Sequence, residues 1–217
     1  MGAARSVINV GAGSGSYESA DRRVIAVEPS EVMLGQRPDG AAPAIRAVAE
    51  HLPFPDSAAD AVLAVLTVHH WADCRSGLDE LRRVAPLRVV LTYDPVRHME
   101  QWLIRDYVPE VGELEINRPH FDEVCQRLGA DSIIGLPMSR DFSDGVMGAF
   151  WCRPHAYLDP RVRQHMSGLA LLSEEVVGPA MRRLADDLES GSWARDHRDL
   201  LEAPEYDAGF RLLISRD

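Results

Sequence analysis

The sequence predicts an α/β protein built on a doubly wound parallel sheet, and three observations predict it. Short branched apolar runs, VINV, VIAVE, AIRAVAE, AVLAVLTV and RVVLTYD, recur between Val7 and Asp94. Runs that are continuous instead of alternating read as strands buried on both faces, as in parallel sheets. Between the last two runs, Leu78, Leu81, Arg82, Val84 and Ala85 form a helical stripe, which supplies a crossover helix. Finally, Gly11, Gly13 and Gly15 follow the first run directly. In a doubly wound sheet, ligands gather at such a place, beyond the carboxyl ends of the strands where the strand order reverses.

Beyond Pro95 the pattern becomes mostly helical. VRHMEQWLIRDYV has helical spacing, FDEVCQRLG is a second helix ending on Gly129, and SIIGLPM is a further short strand. From Ser143 to Leu201, PRVRQHMSGLALL and SEEVVGPAMRRLADDLESG are helical, with Glu174 and Glu175 suiting the first turn of the latter, and FRLLIS closes the chain as a strand. The expected organisation is a core over 1–142, a helical cap insertion over 143–201, and a return to the core over 202–217.

Composition restricts the function. A chain of 217 residues with 46% hydrophobic content supports one core of domain size with an added lobe. A formal charge of −11 argues against nucleic acid or an anionic membrane as partner and favours a small molecule. All 23 basic residues are arginine, which excludes a phosphate-loop lysine and a Schiff base. Cys74, Cys125 and Cys152 are far apart and in no CxxC pair, so reduced buried thiols in a cytoplasmic protein are expected, with no metal site. No leader-like segment precedes Val7, and no apolar run approaches the roughly 20 residues that a membrane span needs.

The glycine spacing narrows the ligand. A dinucleotide turn is GxGxxG, whereas here the register is GxGxG with Ser16 in the sixth place. The following SYESADRR is too short for the helix that would receive a pyrophosphate. Glu28 ends the second run, where a carboxylate can accept both ribose hydroxyls of an adenosine; its removal is expected to weaken that ligand and leave folding unaffected.

The segment Ala47–Trp71, AVAEHLPFPDSAADAVLAVLTVHHW, follows the glycine turn and the acid in order. From Val7 to about Pro95 the chain resembles the class I S-adenosylmethionine-dependent methyltransferases, especially the ubiquinone and menaquinone biosynthesis group. The resemblance implies a Rossmann-like, mostly parallel seven-stranded sheet with an antiparallel last strand, and S-adenosylmethionine as cofactor. It implies that Gly11, Ala12, Gly13 and Gly15 pack against the methionine part and that Glu28 and Pro29 lie at the ribose. Ala49 and Glu50 lie at the adenine, and Thr67 and Val68 line the methionine side facing the acceptor. Three departures stand out: Asn9 replaces a common Asp, Val48 a common Asp or Asn, and only ten residues precede Gly11. Members usually carry a few tens of residues there, so Met1 is expected to be an internal start and this form to bind the donor more weakly than one extended upstream; alternatively the 143–201 cap, or a second copy of the chain as a homodimer, closes the cleft.

Candidate acid–base residues are His69, His70 and Asp94, because histidine titrates near neutral pH and Asp94 ends the fifth strand. Trp71, His98, Trp102 and Trp151 are candidate acceptor contacts, against the plainer reading that aromatics such as Trp102, Trp151, Tyr157 and Trp193 are core. The function expected is methyl transfer to a small molecule, in secondary metabolism. Two alternatives are a donor-binding protein that has lost transfer and acts as a regulatory or assembly partner, and an NAD-dependent oxidoreductase, against which GxGxG and LPFPD weigh.

Overall fold

The computed structural model describes residues 2–115 and 120–217, so the expectation about Met1 lies outside them. Its strands are β1 (Ser6–Val10), β2 (Arg23–Val27), β3 (Ala44–Ile45), β4 (Ala61–Val65), β5 (Leu87–Tyr93), β6 (Ser132–Gly135), β7 (Met138–Ser139), β8 (Glu205–Tyr206) and β9 (Phe210–Arg216). Among the described residues seven of them form one sheet in the order β3-β2-β1-β4-β5-β9-β6. β1 pairs parallel with β2 and β4, as does β2 with β3 and β4 with β5, while β9 runs antiparallel to β6. This is the mostly parallel Rossmann-like sheet with one reversed strand that the sequence predicts. Its order reverses between β1 and β4, and the glycine turn leaves β1 at that switch point.

The chain divides into two compact units. The first comprises Met1–Tyr93, Pro119–Gly135 and Arg211–Asp217. Its core sets Ile8, Val10, Val62, Ala64 and Val90 of the sheet together with Leu78, Leu81 and Val84 of the helix Cys74–Val84, and with Val124 and Leu128 of the helix Phe121–Leu128. The former starts at Asp73, whose carboxylate accepts from the amides of Arg75 and Ser76; the latter stops at Gly129, which takes a left-handed φ of 69°. The run AIRAVAE yields only the two-residue β3, and no helix forms between Gly15 and β2.

The second unit comprises Asp94–Arg118 and Leu136–Phe210. It is larger than the expected insertion over 143–201 because Trp102, Leu103 and Ile104 share a core with Tyr157, Met166, Leu184 and Trp193. The expected helix VRHMEQWLIRDYV is two short ones, Pro95–Met99 and Trp102–Asp106, separated where Gln101 adopts an extended ψ of 132°. PRVRQHMSGLALL likewise splits into Pro160–Arg163 and Ser167–Ala170, whereas Glu174–Glu189 is one continuous helix. No helix among the described residues is long and apolar enough to cross a membrane.

Candidate functional site

The turn after β1 has Gly11, Gly13 and Gly15 at φ of 68°, 54° and 96°, the left-handed region that favours glycine. A Cβ on Gly11 would stand 2.0 Å from Thr67 Oγ1, so the second residue after β4 presses on the glycine backbone. The turn spends its donors internally. Gly11 and Ala12 donate to the Val27 carbonyl at 2.8 and 3.1 Å, Gly15 donates to the Ala12 carbonyl at 3.0 Å, and Gly13 donates to Glu28 Oε2 at 2.9 Å. These four amides therefore form no open anion nest of the kind a pyrophosphate uses.

Glu28 is 7% exposed, and its other oxygen, Oε1, accepts the Ser30 amide at 2.9 Å. An ionised carboxylate has about four lone-pair sites. Two are taken by backbone, and two remain for the paired hydroxyls of a ribose. A buried carboxylate with spare acceptor capacity beside the glycine turn fits the adenosine end of S-adenosylmethionine. Nearby, Ala12 is buried and Pro29 is exposed, with the Pro29 carbonyl accepting from Arg46 Nε at 3.3 Å. Ala49 is buried in the core, Val48 is exposed, and Glu50 accepts the Asp73 amide at 3.0 Å.

At the end of β4, Leu66 holds a φ of 51°, a costly conformation for a branched side chain and one typical of functional sites. It delivers Thr67 and Val68, both buried, into a single 3-10 turn that carries His69 and His70. The His69 ring lies 4.0 Å from that of His70 and 5.1 Å, edge-on, from that of Tyr93 at the end of β5. Tyr93 escaped the sequence reading, although it directly precedes Asp94 in RVVLTYD. The Trp71 indole donates to Thr67 Oγ1 at 3.2 Å and packs on Gly77, where a Cβ would stand 2.4 Å from the ring. Trp71 thus clamps Thr67 to the helix Cys74–Val84. Cys74, on that helix, has its thiol pushed up to about 11, first by burial and then by the charge of Glu123, so it stays protonated at neutral pH.

Within the second unit, Asp94 caps the helix Pro95–Met99 by accepting the Val96 amide at 3.0 Å. His98 is buried, with Nδ1 3.0 Å from Gln101 Nε2. Trp102 and Trp151 correct the sequence reading. They are 3% and 0% exposed, and their indoles donate to the carbonyls of Trp151 and Ser139 at 2.9 and 3.2 Å. Trp102 also meets Tyr157 and Trp193 edge-on, and Trp151 stacks on Tyr206. Their faces and donors are used up in the core of the unit, which leaves none for an acceptor.

Sequence reasoning also missed Glu18 and Arg37, which form a buried ion pair beside the glycine turn. Neither belongs to a motif, and only the fold brings them together. Among the described residues, no cluster of three or more His, Cys, Asp or Glu is placed to hold a metal ion.

Residues 8–86 match the methyltransferase domain family. Among curated proteins, none matches the sequence. A crystal structure from Anabaena variabilis, assigned as a methyltransferase of an antibiotic biosynthesis pathway, is 29% identical with a TM-score of 0.89, over 98% of this chain and 91% of that one. A protein from Bacillus halodurans, also assigned as a methyltransferase, is 16% identical over 97% of this chain and 91% of that one, with a TM-score of 0.55. The YcgJ protein of Bacillus subtilis is 16% identical over 98% and 92%, at a TM-score of 0.52. The last two are alike in fold alone. Over residues 8–86, and in its fold, the chain resembles the class I S-adenosylmethionine-dependent methyltransferases. S-adenosylmethionine is the cofactor this implies.

Proposed function

We propose that the protein transfers a methyl group from S-adenosylmethionine to a small-molecule acceptor in secondary metabolism. The observation that carries this reading is the buried Glu28 carboxylate, braced by the Gly13 and Ser30 amides at the switch point of the sheet. When bound, the cofactor supplies a methyl group on a positively charged sulfur, so the chain has to place and shield far more than to activate. In this reading Gly11, Ala12, Gly13 and Gly15 back the methionine part, while Glu28 and Pro29 lie at the ribose and Ala49 and Glu50 at the adenine. Thr67 and Val68 line the side facing the acceptor. His69 or His70 takes the proton at a ring nitrogen when an acceptor oxygen or nitrogen must lose one. The small-molecule acceptor is supported by the antibiotic-pathway assignment of the Anabaena protein and by the charge of −11, which suits neither nucleic acid nor an anionic membrane.

The test combines calorimetry with S-adenosylmethionine and acceptor-dependent formation of S-adenosylhomocysteine across a panel of small oxygen and nitrogen nucleophiles. Absence of cofactor binding sinks the reading. Once an acceptor is found, one of His69→Ala and His70→Ala is expected to lower turnover with donor affinity unchanged. Full turnover in both variants assigns the reaction to placement alone.

A further inference from the structure

No helix follows the glycine turn to brace it, because the chain passes through turns from Gly15 to β2. A buried ion pair stands there instead. Arg37 Nη2 lies 2.5 Å from Glu18 Oε1, with the two side chains 7% and 9% exposed. The same nitrogen donates to the Ala42 carbonyl at 2.8 Å, and Nη1 donates to the Gly13 carbonyl at 3.3 Å. Glu18 Oε2 in turn accepts the Ala42 amide at 2.8 Å. One guanidinium therefore ties together the turn, the segment after it and the loop before β3. A Cβ on Gly15 would lie 3.3 Å from Arg37 Nη1 and 3.4 Å from Glu18 Oε2, so the pair packs directly against the turn.

Burying two charges costs much of what their attraction returns, so such a pair is a weak stabiliser. A planar guanidinium that reaches a carboxylate and two carbonyls at once is a strong constraint on geometry. Its hold on the Gly13 carbonyl fixes the residue whose amide donates to Glu28. We propose that the Glu18–Arg37 pair is a positioning element for cofactor binding, which holds the glycine turn in its binding conformation before S-adenosylmethionine arrives. This rests on the reading that the turn and Glu28 receive the cofactor. Ordering the turn in advance removes that entropy loss from the binding step.

The test uses Glu18→Gln/Arg37→Gln, which removes both charges together and leaves neither buried alone, and Arg37→Lys, which keeps the charge without the planar fork. In the double variant the dissociation constants of S-adenosylmethionine and S-adenosylhomocysteine are expected to rise on the order of tenfold, as loss of preorganisation predicts. Hydrogen exchange in the cofactor-free protein is expected to quicken at Gly13–Gly15 and to stay unchanged in β4 and β5. Arg37→Lys is expected to fall between wild type and double variant, and it alone decides the matter if the double variant does not fold. Unchanged binding and exchange in the folded variants overturn the proposal, as does lowered thermal stability without a change in affinity. Glu28→Ala, measured beside them, separates the two readings. If it binds both ligands as wild type does, the site reading fails and takes the proposal with it; if it alone binds more weakly, the site stands and the brace fails.

Discussion

Glu28 holds the backbone around the glycine turn together and, in the proposed reading, presents the acceptors that a ribose needs. Its residue type and place after a strand are legible in the sequence; its engagement with the Gly13 and Ser30 amides is not, because those bonds depend on how the glycine turn folds back. Those bonds argue against the expectation that replacing it leaves folding untouched. Glu28→Ala strips two half-buried amides of their acceptor, which is expected to cost at most about 1 to 3 kcal/mol of stability for each group left unsatisfied. It also removes the proposed ribose contacts, so affinity for S-adenosylmethionine and S-adenosylhomocysteine is expected to fall equally, by about 2 to 3 kcal/mol. Thermal melts and calorimetry on one preparation check both. Equal stability would show that water replaces the carboxylate, and equal affinity would remove Glu28 from the site. The aromatic residues teach the converse lesson. Trp102 and Trp151 look like acceptor contacts because tryptophan is costly to expose, yet the same cost accounts for their burial in the core.

Strands were easier to foresee than helices, and the reason lies in what each signal measures. A continuous apolar run such as AVLAVLTV marks burial on both faces, which a parallel sheet alone readily supplies, and β4 lies within it. Helical spacing marks an amphipathic face but not continuity, so it could not show Gln101 interrupting the segment after Pro95, where its side-chain amide donates to the distant Ala208 carbonyl at 2.9 Å. A similar junction joins the helices Ser192–Asp196 and Arg198–Glu202 at His197. The His197 ring packs on Trp102 and Trp193, and its Nε2 lies 3.5 Å from Asp106. Burial lowers its pKa from the ordinary 6.5; the charge of Asp106 opposes that shift, Arg105 adds to it, and Asp196 and Asp187 oppose it more weakly. The unfolded chain thus takes up the proton first on acidification. The contribution of His197 to stability is whole above pH 6.5 and is lost as the pH falls through the lowered folded value. Asp187, itself lowered by its Tyr107 and Ser192 hydrogen bonds, acts in a separate window below 3.8. Tryptophan-fluorescence melts between pH 7.5 and about 5 are expected to show declining stability in wild type and a flatter profile in His197→Phe. Parallel profiles would assign the decline to other groups.

The whole chain is interleaved, and no pattern in the sequence announces it, because the pairings that create it join residues far apart. Residues 94–118 and 136–210 belong to one unit, while the other recovers 119–135 and 211–217 after each excursion. The last seven residues are therefore structural keystones of the unit that holds the proposed cofactor residues. β9 occupies the place between β5 and β6, and Leu213 is fully buried in the core of that unit. Ser215 Oγ accepts from Arg88 Nη2 at 2.7 Å and donates to the Leu128 carbonyl at 2.9 Å, while Asp217 lies 2.9 Å from Arg88 Nη1. Deleting residues 211–217 would remove the Ser215 and Asp217 partners of the Arg88 guanidinium and leave it the Ala85 carbonyl at 3.3 Å, which is destabilising wherever the cation stays buried. It would also forfeit the Leu213 contacts, at about 2 to 5 kcal/mol. Set against a total stability of about 5 to 15 kcal/mol, these losses are expected to abolish cooperative unfolding and S-adenosylhomocysteine binding together. Every residue proposed to touch the cofactor is still present in that truncated chain. Arg88→Met in the chain that keeps residues 211–217 separates charge from strand: an apolar side chain of similar length removes the buried cation without removing β9, so this variant is expected to fold and bind. Circular-dichroism melts and calorimetry on the two proteins decide the matter. A truncated protein that melts cooperatively and binds like wild type would show that β9 is dispensable to the sheet; a folded Arg88→Met beside an unfolded truncation would locate the requirement in the strand.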